Sequence, residues 1–185
     1  ITEIQEYSNK LAQGETILYP TDTIWGLGCD ATNLYAIESI YELKKRPATK
    51  SFIILFSDIA MVQQFLVDAK SIKSLEYLIL TEHPTTFIVD YQFNLPSELY
   101  SEQNTIAIRL PKNEFCKRLI QNLGKPIIST SANISGDTTP SNFSDISYGI
   151  TKNVGIVVPE KYDSGNGKPS AIIKIEGQNK IVIRD

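Results

Sequence analysis

The chain has 185 residues, 42% hydrophobic and 21% charged, with a formal net charge of -3. These proportions exclude collagen-like, coiled-coil and disordered chains, and the length points to one domain, 1–185, with a sizeable core. No apolar run approaches the roughly 20 residues that span a bilayer, and the opening ITEIQEYSNK lacks the cationic and apolar regions of a signal peptide, so a cytoplasmic protein with no membrane partner is expected.

Thr2 and Gln5 make a capping box for a helix over about 2–13, with Ile4, Tyr7 and Leu11 on one face and Gly14 as its stop. A strand over 16–19 leads into a loop over 20–30. Asn33 suits the cap of a second helix carrying Ile37, Ile40, Tyr41 and Lys44, stopped before Pro47. A strand over 51–56, a helix opened by Asp58 and a helix near 71–80 follow. Strands are expected near 85–91 and 105–110, and Pro111 suits the first turn of a helix with Phe115, Leu119 and Leu123 on one face. A strand over 126–130 runs into a polar loop. A short helix near 142–149 and strands near 154–158, 170–175 and 180–184 complete the pattern. Alternating strands and helices predict an α/β layered domain with a mixed, twisted open sheet.

Cys29 and Cys116 form no C-x-x-C pair and His83 is the one histidine, which excludes disulfide frameworks, zinc ribbons and His-cluster metal sites. His83, in Glu82-His83-Pro84, reads as a turn residue. Chemistry then falls to hydroxyls, carboxylates, Lys and Arg, and four segments concentrate them. Tyr19-Pro-Thr-Asp-Thr-Ile-Trp-Gly-Leu-Gly28 places hydroxyls and a carboxylate beyond a strand end, where open α/β sheets bind ligands. Its GxGxxA string, 26–31, is a poor dinucleotide fingerprint because the glycines stand too far from the strand. Lys44, Lys45, Arg46 and Lys50 crowd four cations into seven residues, more than compensation of a helix dipole requires, so the segment is either solvated or offset by an anion such as a polyphosphate. In Thr105-Ile-Ala-Ile-Arg109 the strand period puts Thr105, Ala107 and Arg109 on one face, where the guanidinium suits a carboxylate or phosphate, or an ion pair with a neighbouring strand. Ser129, Ser131 and Asn133 share a face at the end of another strand.

Taken in this order, YPTDTIWGLGCDA at 19–31, Lys44-Lys45-Arg46-Pro47, TIAIRLP at 105–111 and STSANISG at 129–136 resemble the YrdC-like family of threonylcarbamoyl-AMP synthases, in its short single-domain TsaC-type form. The resemblance implies a twisted open α/β sheet with a concave positive face. It implies nucleotidyl transfer: L-threonine and bicarbonate form an N-carboxy adduct that attacks the α-phosphorus of ATP, releasing pyrophosphate. Mg2+ accompanies ATP without dedicated protein ligands. The product serves a downstream tRNA threonylcarbamoyl-transfer complex, and a contact with tRNA itself is part of the expectation. Carried over by position, Thr23, Arg109, Ser129 and Ser170 face threonine, with Arg109 forking its carboxylate. Lys44, Arg46, Lys50, Thr105, Ser131, Asn133, Thr139 and Arg184 face ATP, and Lys44, Arg46 and Arg109 are the catalytic set. Within the strand period Arg184 shares a face with Val182, and Ile181 and Ile183 point away. Arg109→Ala is expected to lose threonine dependence with the fold intact. The sequence departs from the family where a Pro-Gly-Pro turn is replaced by Glu82-His83-Pro84-Thr85-Thr86. The Ser-Gly-rich stretches 135–142 and 163–170 are candidates for a closing loop. The alternative is a non-catalytic double-stranded RNA or tRNA binder using the same basic face, whose affinity would fall steeply with salt.

Overall fold

A computed structural model describes residues 2–47, 51–68, 75 and 77–185. Thr2 caps α1 (Glu3–Ala12) by accepting from Gln5 N at 3.3 Å, and Gly14 follows the helix at φ +95°, a left-handed conformation that suits glycine. β1 (Ile17–Tyr19) is followed by β2 (Gly26–Gly28), a strand inside what the sequence presents as loop. Glycines weaken strand propensity, but here the fold requires one: a Cβ on Gly28 would stand 2.3 Å from the carbonyl oxygen of Ile128. The same pairing removes the dinucleotide reading, since Gly26 and Gly28 lie within a strand and not at a helix-opening turn.

Asn33 caps α2 (Leu34–Lys44), accepting from Ala36 N at 3.2 Å, and Lys45 ends it at φ +49°. β3 (Ile53–Leu55) leads to α3 (Ile59–Phe65), capped by Asp58. The helix expected near 71–80 falls partly outside the described residues; its end is α4 (Tyr77–Leu80). After β4 (Thr85–Val89) and β5 (Ile106–Arg109), Asn113 accepts from Cys116 N at 3.0 Å, so α5 (Glu114–Leu123) opens there and Pro111 stays in the preceding loop. β6 (Ile127–Ser131) follows. The expected helix at 142–149 is divided into a 3-10 turn at Phe143–Asp145 and α6 (Tyr148–Asn153), because Ile146 is buried in extended conformation between them. β7 (Ile156–Val157), β8 (Ala171–Glu176) and β9 (Asn179–Arg184) complete the chain.

Among the described residues these nine strands form one mixed sheet in the order β7-β1-β2-β6-β3-β5-β4-β8-β9. The β3–β5 and β4–β8 pairs are parallel, and β2–β6, β3–β6 and β4–β5 antiparallel. Strand alternation divides the two faces. Ile54, Phe87, Ile108 and Ile128 belong to the core together with Leu11, Ile37, Ile40 and Leu119 of the helices. Their neighbours in sequence, Ile53, Ile88, Ala107 and Ser129, line a cavity. α1 packs on α5 through the Tyr7–Phe115 ring contact at 6.4 Å and a hydrogen bond from Ser8 Oγ to Leu119 O at 3.1 Å.

One alternation fails. A register shift between Ile172 and Ile173 pairs Ile172 with Arg184 and Ile173 with Val182. As a result Arg184 lines the cavity while Ile183 lines the adjoining depression beside Ile88 and Ala107, instead of pointing away. A bulge of this kind puts adjacent residues on the same side of a strand.

Candidate functional site

The cavity holds about 330 Å3 and draws on seven strands and the loops beyond them. Arg46, Arg109 and Arg184 line it, and among the described residues no carboxylate does. Thr23, Ser129, Ser131, Thr139 and Ser170, all expected from the sequence, line the same space. Thr21, Trp25 and Thr86 join them without having been singled out.

Arg109 ends β5 and is 4% exposed. Its Nη2 forms an ion pair with Asp22 and donates to Thr23 Oγ1 at 3.2 Å; the other Asp22 oxygen accepts from Lys112 N at 2.9 Å. Both partners of the ion pair are buried. Nη2 is thereby occupied, while Nε is buried without a partner. Thr21 Oγ1 donates to Ile24 O at 2.7 Å, so in its 2.8 Å contact with Thr23 Oγ1 the proton comes from Thr23. Thr23 therefore offers the cavity an acceptor lone pair and no proton.

Thr86 Oγ1 and Ser170 Oγ stand 2.9 Å apart. Arg184 donates from Nε at 2.9 Å and Nη2 at 2.7 Å to the single carbonyl of Ser170, and burial, with Arg109 nearby, lowers the pKa of its guanidinium. Arg46 donates to Ser51 O at 2.8 Å and lies 5.1 Å from the centre of the Phe52 ring. The loop over 163–170 is tied down beside the site. Trp25 Nε1 donates to Asp163 at 2.8 Å, Asn113 Nδ2 to Ser164 Oγ at 2.7 Å, and Gly167 N to Thr23 O at 2.9 Å.

Lys44 behaves differently from its basic neighbours. It is 1% exposed and does not line the cavity. Its ammonium donates to the carbonyls of Ser131 and Asn133, and its own carbonyl accepts from Ser135 N at 2.8 Å. Burial, then the charge of Arg46, pushes this ammonium down to about 8. Asn133 likewise stays off the cavity lining, its Nδ2 donating to Ile134 O and Asp137 O. Thr105 lines the adjoining depression with Ser51 and Lys174, its hydroxyl 2.7 Å from Ser101 Oγ. Lys50 lies outside the described residues.

The family model Sua5_yciO_yrdC, described as telomere recombination, matches residues 9–185. The chain belongs to this family. A threonylcarbamoyl-AMP synthase of Pseudoalteromonas translucida is 37% identical over 164 residues, covering 88% of this chain and 87% of the relative. Escherichia coli YciO shares the fold at a TM-score of 0.78 and 24% identity, over 98% of this chain and 88% of the other. The P. abyssi Sua5 structure complexed with L-threonine superposes at a TM-score of 0.78 and 21% identity, covering 98% of this chain; the chain spans about half of that protein, 53%.

Within this Sua5/YciO/YrdC frame, sequence reasoning missed Asp22 and Thr86. Asp22 stood in the first polar segment with no role given to its carboxylate. Thr86 stood in the segment noted for departing from the family turn; its position two residues from Ile88 on an alternating strand was the available signal.

Proposed function

We propose that the chain is a threonylcarbamoyl-AMP synthase, a nucleotidyltransferase working as one domain over 1–185 in the cytoplasm. The observation that carries this is the convergence of Arg46, Arg109 and Arg184 with hydroxyl groups on one cavity that no carboxylate lines among the described residues. Three guanidiniums around one space suit a ligand set with several negative charges, as ATP and an amino acid together supply. The name of the relative at 37% identity supports the same reading.

In this reading Arg109 Nη1 meets the carboxylate of L-threonine, and the free lone pair of Thr23 accepts from its amine. The amine and bicarbonate condense with loss of water to an N-carboxy group. One oxygen of that group attacks the α-phosphorus of ATP and pyrophosphate departs. Arg46 and Arg184 offset charge on the phosphates, and Ser129, Ser131 and Thr139 orient polar groups. Positioning and charge compensation are the main demands of such a transfer, so no protein nucleophile is needed. Lys44 and Asn133 contribute by shaping the loop after β6, and Thr105 and Lys50 belong to the nucleotide side.

Among the described residues no group of three or more His, Cys, Asp or Glu could hold a metal ion. In the proposal the Mg2+ rides on the ATP phosphates. The product passes to a tRNA threonylcarbamoyl-transfer complex, with tRNA contact as a further part of the proposal. Among the described residues no helix is long and apolar enough to cross a membrane.

The test is pyrophosphate release from ATP and Mg2+, with and without L-threonine and bicarbonate, with mass spectrometry of the nucleotide product. Release dependent on both co-substrates, with threonylcarbamoyl-AMP detected, is expected. Absence of release, alongside salt-sensitive binding of double-stranded RNA that ignores threonine, would replace the synthase by the RNA-binding alternative.

A further inference from the structure

We propose that Asp163 is a positioning residue: its carboxylate fixes the Trp25 ring as part of the cavity wall and orders the loop that holds Thr23 in place. The inference rests on the amino-acid substrate of the proposed function and adds to it a residue that lies outside the cavity lining.

Trp25, the one tryptophan of the chain, is 1% exposed and lines the cavity. Its main-chain oxygen accepts from Ala132 N at 3.2 Å, and its ring lies 4.9 Å from that of Phe143. Those contacts leave the polar edge of the ring to be satisfied. An indole has one N–H and no acceptor, and Nε1 donates to Asp163 Oδ2 at 2.8 Å. Asp163 is itself exposed, just beyond the 3-10 turn Glu160–Tyr162. Removing its carboxylate therefore takes no side chain from the core. It strips a buried N–H of its acceptor, and the ring has to turn towards water to recover one.

The same carboxylate orders the loop above Thr23. Asp163 Oδ1 accepts from Gly165 N at 2.9 Å, a turn in which an aspartate bonds the backbone two residues on. That turn lays Gly165 directly on the segment below it. A Cβ there would stand 2.6 Å from Thr23 O and 3.0 Å from Thr21 O, so the close approach of the two backbones requires glycine. Two residues later Gly167 N donates to Thr23 O at 2.9 Å. Asn113 secures the other side: its Oδ1 caps α5 by accepting from Cys116 N, and its Nδ2 donates to Ser164 Oγ at 2.7 Å. Thr23 is thus held at its carbonyl by the loop and at its hydroxyl by Arg109 and Thr21. One carboxylate joins the wall at Trp25 to the loop that sets Thr23.

The experiment measures Trp25 fluorescence, calorimetric binding of L-threonine, and kcat and KM for pyrophosphate release in wild type and Asp163→Ala. The variant is expected to fold and to shift the Trp25 emission to longer wavelength. Its threonine KM and Kd should rise about tenfold with kcat within about threefold, the pattern of lost uniform binding. A role in stability alone would lower the unfolding midpoint and leave emission and KM as in wild type. Trp25→Phe removes the N–H that Asp163 holds, so Asp163→Ala should raise KM by a smaller factor in that background than alone. A folded Asp163→Ala protein with wild-type emission or wild-type threonine KM overturns the proposal, as do effects of the two substitutions that multiply in full. If Asp163→Ala does not fold, Asp163→Asn decides, since its single acceptor oxygen cannot serve both Trp25 Nε1 and Gly165 N as the two carboxylate oxygens do. A raised threonine KM in that variant upholds the proposal and an unchanged one overturns it. Should wild type release no pyrophosphate, a raised threonine Kd with the emission shift in Asp163→Ala removes the synthase reading and upholds the positioning role. No threonine binding by wild type removes both.

Discussion

Arg109 and Asp22 are the most consequential pair at the level of single residues. Truncating one partner of a buried ion pair leaves an uncompensated charge and costs about 3–5 kcal/mol. Arg109→Ala would leave Asp22 in that position with, among the described residues, Lys112 N as its partner. The fold-neutral outcome expected from the sequence is therefore replaced by a marked loss of stability together with the loss of threonine dependence. Adding Asp22→Asn to Arg109→Ala should recover much of the stability but none of the threonine dependence, measured by urea unfolding and by pyrophosphate release. Strict additivity of the two substitutions in unfolding free energy would show that the pair is not coupled.

Lys44 makes a second prediction at this scale. Its folded pKa of about 8 lies below its unfolded value of 10.5. Between these values the unfolded chain binds more protons, so stability rises with pH through that window. The cost of the buried charge is fully present below about 8 and gone above about 10.5. Lys44→Met lacks this contribution, so the stability of wild type relative to the variant should improve steadily from pH 8 to 10.5. Parallel pH profiles for the two proteins would mean that Lys44 is not a buried cation.

At the level of elements, the β2–β6 contact decides how the floor of the site is built. Gly28 allows β2 to approach the Ile128 carbonyl, and Gly26 sits against Ser129 Oγ, which its Cβ would meet at 3.2 Å. Strands that close leave no room for a methyl at position 28, and overpacking typically costs about 1–3 kcal/mol. Gly28→Ala should lower the urea midpoint accordingly and weaken threonine binding through displacement of Ser129. An unchanged midpoint would show that the strand spacing relaxes at no cost. The 163–170 loop, one of two stretches considered for closure, is instead fastened by Asp163, Ser164 and Gly167 to residues beneath it.

For the whole molecule, the sheet gathers three guanidiniums from distant parts of the chain around one space. Ligand binding to the folded state alone stabilises it by mass action, about 2.7 kcal/mol at a hundred times Kd. For a domain of this size that corresponds to a melting-temperature rise of about 5–10 °C. ATP with threonine should produce it, and AMP with valine should produce less. A melting temperature indifferent to all four compounds would separate the cavity from any role in binding them.

The elements with local causes were legible in the sequence. Capping side chains at Thr2, Asn33 and Asp58 and the apolar periods of α1, α2 and α5 depend on neighbours within four residues, and the strands from β3 to β6 declare themselves by β-branched runs. So was much of the cavity lining, because Thr23, Arg109 and Ser129 stand in motifs that mark a family. β2 was hidden because a Gly-Leu-Gly strand has no propensity of its own and exists through its partners. The inward turn of Lys44, the bulge that brings Arg184 and Ile183 to one side, the clamp of Asp22 on Arg109 and the pairing of Thr86 with Ser170 all join residues remote in sequence. Local chemistry wrote the list of groups available, while close packing of non-adjacent strands decided which of them share a proton, a charge and a cavity.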